Sequence, residues 1–339
     1  MVDPLVNTAR VSVVIPTFNG GRFVQATLEA ILSQTLLPSD IIVVDDASTD
    51  DTLRVVSEVA KSATVSIRTL VLKQNTGSPS VPMNCAIRST QADFISIVDQ
   101  DDLILPTKLQ DEVQALCANS DAVFAGSGSA KLGGDECQSN DLLAEIRKLG
   151  TACAGGWILD SNDMLRLLLE RGCFLMGFPG FTFRKTAWED VGGIDESMRI
   201  ADHDFLCRLS TVGTCIYLDR VNYLRRIHDR NVSRDTACIE NDYVRTVRKI
   251  LLEEREKWLG ANPDRFVRQA LPRTRGALVG IGYKLRDRGS YRDAWSCFRT
   301  AGAVWGWRRD LIQASTKLAF LALRAGSVSI SQRVLGGPN

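Results

Sequence analysis

The 339-residue chain has no long hydrophobic run. Its longest apolar candidate, "LAFLALR" from Leu318, falls far short of the ~20 residues that a membrane-spanning helix needs. Met1 to Arg10 has no apolar stretch of the signal-peptide kind. A cytoplasmic protein is therefore expected, with any membrane contact peripheral, at the inner face. Histidine is scarce, at two residues. Cysteine is present at nine positions, an odd number, scattered and never spaced as CxxC. That pattern excludes a disulfide framework or thiolate zinc site and leaves small buried thiols, such as Cys85 and Cys215, in a reducing compartment. The Asn231-Val232-Ser233 sequon carries no glycosylation meaning in that setting. No repeat of solenoid length stands out.

What is present is ordinary globular composition, 45% hydrophobic and 24% charged, which excludes disordered and fibrous classes. The length fits one large domain with an appendage, or two domains. Net charge is +1 but uneven: residues 1–125 carry −7, residues 126–234 carry −1 and residues 235–339 carry +9. A basic final third faces an anionic partner or is a set of solvated helices. It lacks the aromatic interleaving of a nucleic-acid module, so no nucleic-acid partner is expected and an anionic lipid surface fits better.

The first 125 residues alternate strand and helix patterns. "VSVVIP", "DIIVVDD", "VSIRTLVL" and "DFISIVD" read as strands. "GGRFVQATLEAILSQT", "STDDTLRVVSEVAK", "PSVPMNCAIRST" and "PTKLQDEVQALCAN" read as helices, the second opening on a cap of Ser48, Thr49 and two aspartates. Repeated βα units imply an α/β fold with a mostly parallel central sheet flanked by helices. "DAVFAG" reads as a further strand, residues 126–160 as an irregular insertion, and residues 163–210 as mixed pieces. From about Arg234 the pattern is helical to the end, with a helical hairpin turning at Gly289. Domains at 1–234 and 235–339 follow.

In open α/β sheets, ligands bind beyond the carboxyl ends of strands. Three such ends are polar here: "PTFN" (Pro16 to Asn19), "DDASTD" (Asp45 to Asp50) and "DQDD" (Asp99 to Asp102). Three carboxylates packed into four positions repel, and a divalent cation bridging substrate phosphates would offset them. A nucleotide could lay its base near the first two ends and its phosphates near the third. A carboxylate–carboxylate pair after a strand is also a common helix cap, so the order of all three ends carries more weight than any one. In "ADHDF", Asp202 and Asp204 stand at a helix start, as caps or as a general base toward a hydroxyl. His228, amid Arg225, Arg226, Arg230 and Arg234, is either structural or part of a diphosphate or metal site. "GFPGFTF" (Gly177 to Phe183) reads as buried core ahead of an acceptor wall.

Taken together, "SVVIPTFNGGRFVQATLEAILSQT", "IIVVDDASTDDT", "FISIVDQDDLILPTKL", "VGGIDES…DHDF" and "RIHDRNVS" resemble the family-2 inverting glycosyltransferases of the GT-A fold, over roughly residues 11–234. The resemblance implies a GT-A-like sheet with a C-terminal helical extension. It also implies transfer of a sugar from a nucleotide-diphosphate sugar, expected to be a UDP-sugar, to a glycan or lipid-linked acceptor in polysaccharide or glycoconjugate biosynthesis. By the same resemblance Pro16, Thr17, Phe18, Asn19, Asp46, Asn84, Asp99 and Gln100 would bind the donor. Asp101 and His228 would hold Mn²⁺ or Mg²⁺, and Asp202 would be the catalytic base.

Two positions depart from the family pattern. Met83 stands where arginine is frequent, and Ala201 where glutamate is usual before the base aspartate. If that glutamate is needed, Asp204 or Glu196 would stand in. The alternative is a weakly catalytic or non-catalytic relative that binds nucleotide sugars or acts as a scaffold. A metal-dependent phosphatase built on a DxD nucleophile fits less well, because no downstream lysine and aspartate pair is evident.

Overall fold

The computed structural model describes residues 8–135, 140–259, 266 and 272–324. The chain forms two compact units, one of Met1–Leu168 and Gly172–Asp242, the other of Leu169–Arg171 and Tyr243–Asn339. The division falls after Asp242 rather than after Arg234. Asp235 pairs with Arg199 at 3.3 Å, and the Asp242 carboxylate accepts the Ile200 N–H at 2.9 Å, which ties this stretch to the first unit.

The first unit is built on a ten-stranded sheet. Its strands are β1 (Val11–Thr17), β2 (Asp40–Asp45), β3 (Ile67–Val71), β4 (Phe94–Ile97), β5 (Leu103–Ile104), β6 (Ala122–Lys131), β7 (Thr151–Cys153), β8 (Gly156–Leu159), β9 (Phe181–Arg184) and β10 (Thr214–Arg225). Its helices are α1 (Val24–Leu32), α2 (Thr52–Ser62), α3 (Ser80–Ser89), α4 (Lys108–Ala118), α5 (Asn140–Leu149), α6 (Ser161–Arg171), α7 (Lys185–Asp190) and α8 (Asp202–Leu209). The strand order is β3-β2-β1-β4-β9-β6-β10-β8-β7, with β5 paired to β10.

β1 is buried along its whole length, as a strand covered on both faces must be, and so reads as a near-continuous apolar run. α1 buries Val24, Thr27, Leu28 and Ile31, the three- and four-residue spacing that puts one stripe on the sheet. Val13, Ile15, Ile41, Val43, Leu28 and Leu116 meet in one core.

The expected α/β architecture is present, with three local differences. First, the parallel pattern holds for β3-β2-β1-β4, whereas β9 enters antiparallel between β4 and β6 and makes the sheet mixed. Second, residues 126–160 are not an irregular insertion. They hold most of β6, helix α5 and the β7–β8 hairpin, and Gly126, Ser127 and Ser129 lie buried in β6. Small residues are needed there: a Cβ at Gly126 would fall 2.7 Å from Leu175 Cδ1. Third, of the expected cap of α2 only an aspartate serves, not Ser48 or Thr49. Its first turn is held by the Asp50 carboxylate, which accepts the Thr52 N–H at 3.0 Å, and Ser48 and Thr49 bond to Asn19 instead.

Phe178, Phe181, Phe183 and Phe205 are buried and pack with ring centroids 5.1–6.4 Å apart, so "GFPGFTF" is core.

The helix α9 (Thr236–Arg248) leads into the second unit, which contains α10 (Arg255–Leu259), α11 (Pro272–Asp287), α12 (Tyr291–Trp305) and α13 (Arg309–Arg324). α11 and α12 form the expected hairpin around Gly289, whose φ of +79° is open to glycine at little strain. Ala294, Phe298 and Ala301 are buried on its packing face. The expected helical character of residues 260–265, 267–271 and 325–339 lies outside the described residues.

Candidate active site

The carboxyl ends of β1, β2 and β4 and the segment after β10 converge on one region of the first unit. Pro16 and Thr17 are buried within β1, and the Thr17 hydroxyl donates to Val44 O at 3.3 Å and Asp45 Oδ1 at 3.4 Å. They shape the wall from behind. Phe18 is 43% exposed and offers a free aromatic face. Asn19 has a positive φ of 48°, and its side-chain oxygen accepts the Thr49 N–H at 2.8 Å and the Asp50 N–H at 3.3 Å. It therefore staples the loop after β2 to the end of β1. Asp46 is buried, and both of its carboxylate oxygens accept the Thr76 N–H at 3.0 Å. Gln100 forms a reciprocal pair with the Phe18 backbone, accepting its N–H at 3.0 Å and donating to its carbonyl at 3.2 Å. A Cβ at Gly20 would sit 2.0 Å from the Gln100 amide oxygen, so this bridge needs glycine there.

At the end of β4 the three carboxylates take different roles. Asp101 Oδ2 lies 2.6 Å from His228 Nε2 and 3.2 Å from Asn231 Nδ2. Asp102 turns away, its Oδ1 accepting the Arg226 N–H at 2.9 Å, and burial pushes its carboxyl up to about 7. Asp99 is raised well above the usual carboxylate range by burial first, then by Asp102, Asp101 and Asp202, with Arg225 opposing. Four carboxylates thus share one low-dielectric neighbourhood, where like charges strongly disfavour one another.

Asp202 opens α8, partly exposed, and its Oδ1 accepts the neighbouring His203 N–H at 2.8 Å. The Cys173 thiol beside it is pushed far up by burial and then by the Asp202 charge. A Cβ at Gly177 would come within 3.9 Å of Asp202 Oδ2. Asn19, Ala47 and Met176 are the non-glycine residues with positive φ among those described, and each lies on a loop bordering this region. Backbone strain of this kind gathers where a site is held against local preference.

Not every expected residue reaches the site. Asn84 is buried and its amide is committed on both sides. Its oxygen accepts from Trp188 Nε1 at 3.1 Å and the Ile194 N–H at 3.0 Å, while its nitrogen donates to Ile194 O at 2.8 Å and Glu196 Oε1 at 2.9 Å. In the structure Asn84 clasps the loop that runs toward Asp202 and presents no free amide group. Asp204 is buried and pairs with Arg208 at 2.7 Å, and Glu196 is spent on Asn84 and Arg88, so neither is a substitute base. Met83 and Ala201 are both buried, so each departure from the family pattern is filled by a packed apolar side chain. His203 bonds Leu168 O at 2.9 Å and is structural.

Sequence reasoning missed Phe23, Thr76 and Asn231. The last shows only as the Asn of a sequon, and nothing local signals that it reaches back to Asp101.

Asp101 and His228 are of the ligand types that a divalent cation takes. Their carboxylate oxygen and imidazole nitrogen bond each other directly at 2.6 Å, so a cation would have to part them, and as a donor pair they suit Mn²⁺ better than the oxygen-preferring Mg²⁺. The Arg230 N–H contacts His228 Nδ1 at 3.2 Å, so a cation at Nε2 requires the ring proton at Nδ1 and this contact to open. Among the described residues no three His, Cys, Asp or Glu side chains form a ready cage. Remaining coordination would fall to water and phosphate oxygens.

Residues 12–191 match the model of the family described as "Glycosyl transferase family 2". The poly(ribitol-phosphate) beta-N-acetylglucosaminyltransferase TarP of Staphylococcus aureus is 36% identical over 106 residues, 30% of this chain and 31% of TarP. The chondroitin synthase of Escherichia coli is 28% identical over 243 residues, 68% of this chain and 31% of the synthase. The chain thus spans less than a third of the length of either relative. The structure of S. aureus TarS 1–349 in complex with UDP-GlcNAc superposes with a TM-score of 0.60 at 17% identity, covering 94% of this chain and 88% of that one. Mannosyltransferase PcManGT from Pyrobaculum calidifontis, in complex with GDP-Man and Mn²⁺, superposes at 0.53 and 17% identity, over 96% and 88% of the two chains. The family match takes in more than half of the sequence and the superpositions share its architecture, so the chain belongs to glycosyl transferase family 2 and has the GT-A fold.

Proposed function

We propose that the protein is an inverting glycosyltransferase that uses a UDP-sugar and a divalent cation, preferably Mn²⁺, to glycosylate a hydroxyl of a glycan or lipid-linked acceptor. The observation that carries this reading is the convergence of Asp99, Asp101, His228 and Asp202 beside the exposed ring of Phe18. Phe18 packs on the base, Asp46 accepts a hydrogen bond from it, and Asp99 faces the ribose. Asp202 removes the proton of the acceptor hydroxyl as its oxygen attacks the anomeric carbon. The bond to the donor diphosphate breaks on the opposite side, and configuration inverts. A cation held by Asp101 and His228 would supply charge neutralisation for the departing diphosphate. TarP and TarS are named for a poly(ribitol-phosphate) acceptor, and WfaP of E. coli for a diphosphoundecaprenol-linked one. Acceptors of that kind suit this chain.

The test is a panel of nucleotide sugars screened for Mn²⁺-dependent hydrolysis, with Asp202→Asn assayed on the best donor and its acceptor. Turnover should fall by roughly 10²–10⁴-fold with UDP affinity unchanged. If the substitution leaves turnover intact, Asp202 is not the base; if the parent turns over no donor at all, the scaffold reading motivated by Met83 and Ala201 takes over.

The second unit also suits peripheral contact with an anionic membrane. Trp307 (45% exposed), between α12 and α13, and Ile312 (51% exposed), in the first turn of α13, lie close in sequence to the exposed Arg308 and Arg309. Aromatic and aliphatic tips next to arginine match a lipid interface. Among the described residues no helix is long and apolar enough to cross a membrane. Co-sedimentation with phosphatidylglycerol vesicles should weaken in a Trp307→Ala/Arg308→Glu variant, and unchanged binding would refute this contact.

A further inference from the structure

Asp202 begins α8, and with the His203 N–H at 2.8 Å as its only tie the carboxylate could still rotate about its last bond. A second tie comes from the turn between α6 and β9. The Cys173 thiol donates to the Asp202 carboxylate and accepts the Gly177 N–H. Asp202 Oδ2 also faces Gly177, where a Cβ would lie 3.9 Å away.

The turn that carries Cys173 is bent against its own preference. Met176 and Gly177 follow one another at φ of +61° and +120°, and the left-handed region is unfavourable for a residue with a side chain. Such a conformation persists only where neighbours enforce it. Three ties do so here. The Tyr223 hydroxyl, on a ring fully buried in β10, lies 2.9 Å from Leu175 O and 2.7 Å from Met176 O and donates between them. Leu175 packs where two glycines lack a Cβ: one at Gly126 would fall 2.7 Å from its Cδ1, and one at Gly180 would fall 2.1 Å from its carbonyl oxygen. Within the turn, the Met176 N–H donates to Cys173 O at 3.0 Å. A turn in relaxed geometry would cover the core as well. What this one adds is a hydrogen-bond donor delivered to the carboxylate beside it.

We propose that the turn Cys173–Gly177, pinned by Tyr223, is a brace that aims Asp202 at the acceptor hydroxyl, with Cys173 and Tyr223 as positioning residues. The brace rests on the reading of Asp202 as the base. A general base works only within hydrogen-bond reach of the proton it takes, and a small misplacement is costly in rate. A thiol is a weak donor, so it orients the carboxylate while drawing little on the charge that must accept the proton.

The test is steady-state kinetics on the full chain with Mn²⁺ and the donor and acceptor that the panel identifies. Cys173→Ala should lower kcat roughly tenfold, while the KM for the nucleotide sugar and the affinity for UDP stay at the parent's values. Cys173→Ser keeps a donor at the same place and should recover part of the loss. Tyr223→Phe leaves the ring in the core, removes the hydroxyl from the two carbonyls, and should lower kcat in the same way. Cys173→Ala added to it should then cost less than it does in the parent, because both act on one carboxylate. A parental kcat in Cys173→Ala, with or without a rise in KM, overturns the brace. So does an equal loss in Cys173→Ala and Cys173→Ser, which would mean that the thiol only fills space. If Cys173→Ala does not fold, Tyr223→Phe decides, and a parental kcat there overturns the brace. The base reading fails separately, on Asp202→Asn retaining turnover, whatever the Cys173 variants do.

Discussion

Two clusters of buried carboxylate in the first unit solve the same electrostatic problem in opposite ways. Under the sheet, Glu112 is fully buried and has an internal cation: Lys108 Nζ lies 2.5 Å away. Ser127 and Thr182 donate to Glu112 at 3.0 and 2.7 Å, and Lys108 also reaches Ser96 and Thr182 at 3.2 and 3.4 Å. The network ties α4 to β4, β9 and β6, at the seam where the sheet changes from parallel to mixed. Burial still pushes the Glu112 carboxyl up, against the opposing pull of Lys108. At the end of β4, Asp99, Asp101 and Asp102 have no buried lysine. They share His228, an asparagine, and arginines that are only partly engaged. A closed network is a joint, whereas an open one is arranged for something that arrives from solution.

That contrast can be broken at either end. Glu112→Ala leaves the Lys108 ammonium buried and unpaired, which should cost roughly 3–5 kcal/mol and lower the unfolding midpoint with or without Mn²⁺. A midpoint near that of the parent would mean the joint is not structural. At the other cluster, Mn²⁺ at about 100 times its Kd should stabilise the parent by ~2.7 kcal/mol, and Asp101→Ala should abolish that gain while leaving the metal-free midpoint close to the parent. A retained gain would place the cation elsewhere. The smallest effect sharpens the role of the clasp. Asn84→Leu strands the Trp188 N–H, the Ile194 peptide groups and Glu196, and should destabilise by about 2 kcal/mol. Turnover should drop through misplacement of the Asp202 loop, with UDP affinity held. Loss of UDP affinity instead would restore Asn84 to the donor site.

Much of the parallel half was legible because its signals are local. β1, β2 and β4 are short apolar runs stopped by polar residues, and α1 shows its buried stripe as spacing. Of β6 only the first half, "DAVFAG", was legible, since Gly126, Ser127, Gly128 and Ser129 look like a loop by composition. They are strand because Leu175 packs against Gly126, and Ser127 donates to Glu112. Asn84 shows a similar limit. An asparagine at the expected place in a motif says nothing about whether its four hydrogen-bonding valences are already filled by Trp188, Ile194 and Glu196.

The order of the polar strand ends, the acidic crowding after β4 and the basic final third were determined by the sequence alone, because strand termination and charge are properties of neighbours along the chain. Which carboxylate faces His228 and which one turns to Arg226 were decided only by tertiary structure. Those pairings join residues more than a hundred positions apart, and distance through space, not along the chain, sets an electrostatic energy.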